Sequence, residues 1–93
     1  MTTIESEDAA QIIMSLIDTP VLKHAMDNAT GIGDYVRRAQ ESAAALSTGE
    51  QIILGFARAA LGYRGNNDLV DLWLIDDRCR ATILETFTRQ MVG

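Results

Sequence analysis

Ninety-three residues are enough for one small domain with a single core and too few for two. Apolar residues make up 47% and charged residues 23%, and 13 acids against 8 bases leave a formal net charge of −5. That balance repels phosphate backbones and argues against nucleic-acid binding. A single proline and no low-complexity stretch argue against disorder beyond the first few residues.

The chain reads as helices separated by caps. Ala9, Ile12, Ile13, Leu16 and Ile17 recur at the spacing of one buried helical stripe. Thr2 or Ser6 is the expected cap, with Glu5, Glu7 and Asp8 filling the first turn. Every charged residue before Lys23 is acidic, so this helix suits either a basic partner or plain solvation. Thr19-Pro20 restarts the chain as N-cap and first helical position, and the second helix should turn Val21, Leu22, Ala25, Met26 and Ala29 inward.

At Gly31-Ile32-Gly33-Asp34, Gly31 suits a left-handed helix end and Asp34 the next N-cap. The periodicity leaves open whether the second and third helices are separate or form one kinked rod. Helix three is expected to bury Val36, Ala39, Ala43 and Leu46, with Arg37 and Glu41 spaced for a surface ion pair.

Ser47-Thr48-Gly49-Glu50 has the form of a capping box. The helix it opens carries two apolar sectors: Ile52, Ile53, Phe56, Ala59, Ala60 and Tyr63 on one, Leu54, Ala57 and Leu61 on the other. A helix apolar around most of its circumference belongs in the middle of a domain. Gly55 costs about 1 kcal/mol of helix propensity, which close packing would offset. Gly62 should end the helix, and Arg64 to Asp68 should form a turn.

Leu69-Val70-Asp71-Leu72-Trp73-Leu74-Ile75 is apolar at every position but one and has no candidate partner strand. It reads as a short helix followed by an extended connector into the core, with Trp73 as a core residue beside Ile53 and Phe56. Asp76 or Asp77 caps a last helix whose apolar face is Ile83, Leu84, Phe87 and Met91. The expected fold is therefore all-α, a bundle of five or six short helices around a central apolar helix at about 48–61, in one domain spanning 1–93.

Few residues suggest chemistry. Gly31-Ile32-Gly33 lacks the third glycine and the preceding strand of a dinucleotide loop, and it has no phosphate-binding lysine nearby. Asn66, Asn67, Asp68 and Asp71 do not follow the order of a calcium loop. His24 is the only histidine and sits among polar neighbours, so neither a nucleophile–base pair nor a metal site is expected. Cys79 is the only cysteine, which excludes an intrachain disulfide and a thiolate cluster. Arg78, Arg80 and a helix N-terminus could lower its pKa; a half-buried small residue is the plainer role.

Arg80 falls in the apolar sector of the last helix, four residues after Asp76, which is spaced to pair with it. Either its stem covers the core edge, or it is an interface arginine beside Trp73, since both residue types are enriched in binding hot spots. No apolar run is long enough to span a bilayer, and the N-terminus lacks the form of a secretion signal, so a cytoplasmic protein is expected.

Ser47-x-Gly49-Glu50, Asp68-Leu69-Val70-Asp71-Leu72, Asp76-Asp77-Arg78 and Ile83-Leu84 together resemble small uncharacterised helical proteins of actinobacterial genomes and their tailed phages. The resemblance covers residues 47 to 90. It implies an accessory or host-interaction role and carries over no catalytic residue. The expected function is thus a non-enzymatic protein-binding module needing no cofactor or metal. Its partner would be another protein, through Trp73 and Arg80 or through Glu5, Glu7 and Asp8. The alternative is a homo-oligomeric structural or assembly protein, in which the partner is a second copy.

Overall fold

Helix α1 (Ser6–Met14) buries Ala9, Ala10, Ile13 and Met14. Ser6 is its first helical residue rather than its cap, and Glu5 at the N-cap position makes no side-chain capping bond. The computed structural model describes residues 4–63 and 69–91, so Thr2 lies outside it. After α1 the chain tightens, with the Leu16 and Ile17 amides donating to the Ile13 and Met14 carbonyls. This turn carries Ile17 into the core.

Thr19 is extended, and Pro20 opens a 3₁₀ turn, Pro20–Leu22, that runs directly into α2 (Lys23–Asn28). Leu22 and Ala25 are buried, but Met26 is exposed, against expectation. The six-residue α2 packs on the preceding turn and on α3. One covered side leaves Met26 facing out. The side chains of Val21, Leu69 and Met91 lie outside the described set.

Helices two and three are separate: Ala29 is extended and ends α2, and α3 (Ile32–Glu41) begins afresh. Gly31 has φ of 175°, an extended value, so the expected left-handed turn is absent there. Asp34 is not the N-cap. It is the third residue of α3, and its Oδ2 accepts the Thr30 backbone N–H at 3.1 Å. From this position it also accepts from Arg38 Nε at 2.9 Å and Arg37 Nη2 at 2.6 Å, while Arg37 makes the expected bond to Glu41 at 3.0 Å. Tyr35, Val36 and Ala39 are the buried face. The helix stops at Glu41, a 3₁₀ turn Ala43–Ala45 follows, and Leu46 enters the core from extended backbone rather than from the helix.

The capping box at Ser47 is formed. Glu50 N–H donates to Ser47 Oγ at 3.2 Å and Ser47 N–H to Glu50 Oε1 at 2.9 Å. Helix α4 (Thr48–Ala60) buries Ile53, Leu54, Gly55, Phe56, Ala57 and Ala60, residues of both apolar sectors. Ala59, at the edge of the first sector, is exposed instead, as is Tyr63, which lies past the end of the helix. Helix α4 touches α1, α3, α5 and the 3₁₀ helix Leu69–Leu74, with α1 its main neighbour. It is the centre of the domain.

Its end is closed by two backbone bonds, from Gly62 N–H to Ala59 O at 3.0 Å and from Tyr63 N–H to Arg58 O at 3.0 Å. Gly62 takes the left-handed conformation (φ 92°) that this arrangement requires. The turn expected at 64–68 lies outside the described residues.

Helix α5 (Asp77–Met91) lies against α1 and α4. Ile83 is fully buried, and Phe87 meets Phe56 edge-on with centroids 6.1 Å apart. Thr86 is buried and satisfied, its Oγ1 donating to the Thr82 carbonyl at 2.7 Å. Gln90 Nε2 donates to the Ala60 carbonyl at 2.8 Å, tying the end of α5 to the end of α4. Leu84, placed inward by the periodicity, is exposed. The fold is an all-α bundle, with no strand among the described residues.

Candidate partner-binding surface

The segment Leu69–Leu74 is a 3₁₀ helix throughout, not a short helix with an extended tail. A 3₁₀ helix repeats every three residues, so side chains at i and i+3 eclipse. Leu72 and Ile75 therefore share one stripe, and both are buried. Val70 and Trp73 share another, which faces solvent. Relative exposure is 69% at Val70, 72% at Trp73 and 65% at Leu74. Trp73 is thus not a core residue. Leu72 and Ile75, on the other stripe, fill the core side.

Arg80 joins Trp73. Its Cζ stands 4.5 Å from the Trp73 ring centroid, within cation–π range. Nη2 donates to the Asp77 carboxylate, and Nη1 donates to the Leu72 carbonyl at 3.4 Å. The expected Asp76–Arg80 pair does not form, because Asp76 caps α5 and its Oδ1 accepts the Cys79 N–H at 2.9 Å. Asp77, one residue later, is left to take the arginine. One turn beyond Arg80 on α5, Leu84 continues the same side at 46% exposure.

Glu5, Glu7 and Asp8 are all exposed, but at the other end of the molecule. Ile4 N–H donates to the Arg89 carbonyl at 3.4 Å and Gln90 Nε2 to Ser6 Oγ at 3.2 Å, so the acidic start of α1 sits at the C-terminal end of α5. Trp73 and Arg80 sit at the N-terminal end. At 1.5 Å per residue, Arg80 and the Arg89–Gln90 end lie about 14 Å apart along α5. The structure does not join the two sequence-derived surfaces.

Comparison of this chain with family models, curated proteins and solved structures finds no match.

Cys79 is half-buried, and its thiol is pushed up to about 11 by burial, with the Asp76 carboxylate adding to the shift and Arg78 only partly opposing it. The plainer role, a half-buried small residue, is the one observed, and the alternative of a lowered pKa gives way because burial, with Asp76 adding to it, outweighs Arg78. His24 is exposed and its ring faces Asn28 Nδ2 at 3.3 Å. Among the described residues no three metal-ligating side chains come together. Asn66, Asn67 and Asp68 lie outside the described residues. No described helix is long and apolar enough to cross a membrane.

Sequence periodicity missed Val70, Leu74 and Leu84 as surface residues. The three-residue spacing of Val70 with Trp73 and of Leu72 with Ile75 was the available signal, and it is obscured when every position but Asp71 is apolar.

Proposed function

We propose that this protein is a small, cytoplasmic, non-enzymatic module that binds another protein through the face formed by Val70, Trp73, Leu74, Arg80 and Leu84. One observation carries the reading: a short 3₁₀ helix turns three large apolar side chains outward while its other side is seated in the core. Burying each such side chain is worth about 1.5–3 kcal/mol, which this fold forgoes and a partner would recover. Trp and Arg are the residue types that dominate binding hot spots. Arg80 is already held by Asp77 and the Leu72 carbonyl, so less side-chain freedom is lost on docking.

The non-enzymatic reading is supported by a thiol that stays protonated at neutral pH and by a lone histidine engaged with Asn28 on an exposed turn. The resemblance of residues 47–90 to small actinobacterial and phage proteins favours a regulatory or host-interaction role. The test is affinity capture from cell extract with wild type and Trp73→Ala side by side. One stoichiometric partner retained by the wild type and lost from the variant supports the proposal; equal capture by both sinks it. Light scattering from micromolar to near-millimolar concentration separates the homo-oligomeric alternative. A dimer that Trp73→Ala returns to monomer would assign the face to a second copy.

A further inference from the structure

A cleft of about 740 Å³ opens on a different part of the molecule, between the end of α1, the α2–α3 corner and the first turn of α5. None of the five residues of the proposed docking face lines it. Its volume falls within the range of small-molecule sites, about 300–1,000 Å³. Its walls are Met14, Ile17, Met26, Ile32 and Tyr35. Two of these are methionines, whose unbranched thioethers adapt to irregular ligands. Tyr35 is buried, burial pushes its phenol up from the ordinary value, and its hydroxyl has no hydrogen-bond partner among the described residues.

The polar groups at the mouth set the sign of the ligand. Asp18 and Asp76 stand there against one cation, Arg78. Asp76 is committed to capping α5. Asp18 is exposed and makes no ion pair or hydrogen bond among the described residues. The C-terminal end of α1 forms one wall, and its last turn holds no basic residue. The last carbonyls of α1 are taken by the Ser15, Leu16 and Ile17 amides and the Ser15 hydroxyl, so Asp18 is the uncommitted negative group of the cleft. An anionic ligand would meet two carboxylates, with one arginine in its favour.

We propose that this cleft binds a small amphipathic organic cation. Its ammonium sits at Asp18, and its apolar body lies against Met14, Ile17, Met26, Ile32 and Tyr35. The test is titration of the full chain with octyltrimethylammonium, below its micelle-forming range, and in parallel with octanoate, followed by backbone amide shifts in NMR. Saturable shifts at Ile17, Asp18, Met26, Ile32 and Cys79 are expected with the cation and not with octanoate. Asp18→Asn should weaken the cation about threefold, the scale of one exposed charge pair. Met26→Lys, which brings a cation to the cleft from an exposed position, should abolish binding with the melting temperature held. Equal affinity for octanoate, an unaffected Asp18→Asn variant, shifts centred on Trp73, or no saturable shift would each overturn the proposal.

Discussion

Asp34 organises the start of α3. Its carboxylate receives Arg38, Arg37 and the Thr30 amide, in that order of influence, and together they hold it well below the ordinary carboxylate range. A folded-state pKa below the unfolded one gives stability that is present above the unfolded value of 3.8 and fades as pH falls towards the folded value. Thermal melts between pH 2 and 7 should show the wild type losing stability below about pH 4. Asp34→Asn should melt lower at neutral pH and fall less steeply in acid; parallel curves would refute this linkage. Cys79 makes the opposite case. With burial and Asp76 raising it to about 11, little thiolate exists at pH 8. Its alkylation by iodoacetamide should run at least roughly tenfold slower than that of a free cysteine, because only the thiolate reacts. A rate matching the free thiol would show that burial and the capping carboxylate do not hold it protonated.

At the scale of an element, the two glycines that bracket α4 have different reasons to be there. Gly62 has a positive φ that the two closing bonds need, and a side chain there is strained even in open space. Gly62→Ala should destabilise by about 1 kcal/mol or more. Gly49 lies in the first turn of α4, and an added Cβ would meet only Ile75 Cγ2, at an ordinary 3.8 Å. Gly49→Ala should therefore stabilise by about 0.4–1 kcal/mol, through a less flexible unfolded chain. Urea unfolding of the two variants checks both signs at once. If both variants lose stability, space rather than backbone freedom decides at Gly49.

Across the whole molecule, the core and the docking face make separable demands. Phe56 is buried on α4 and stacks edge-on with Phe87, and Ile53 lies one turn earlier on the same buried face. Phe56→Ala should cost about 3–5 kcal/mol and Ile53→Ala about 2–5, a large part of the stability of a domain this size. Trp73→Ala loses mainly the cation–π contact with Arg80, about 0.5–1 kcal/mol. Calorimetry should place it near wild type. A Trp73→Ala variant that unfolds with the core variants would mean that the indole supports the fold, and the docking reading would lose its footing. A Cα radius of gyration of 12.4 Å matches the roughly 12 Å expected for a folded domain of this length, so the exposed face does not reflect a loosely collapsed chain.

Local chemistry was legible in the sequence wherever one helical turn decides the outcome. The Ser47 capping box, the Gly62 helix end and the Arg37–Glu41 pair all depend on residues within five positions of one another. The all-α class and the central place of α4 followed from the period and breadth of the apolar sectors. Tertiary structure decided what period alone could not. Met26, Leu84 and Trp73 are apolar at plausible inward positions, yet each is exposed because no element among the described residues covers that side. Asp34 and Asp76 each had a choice of partners, and the backbone start of α3 and of α5 settled it. Whether a surface is covered depends on the packing of distant segments, and no local spacing records that.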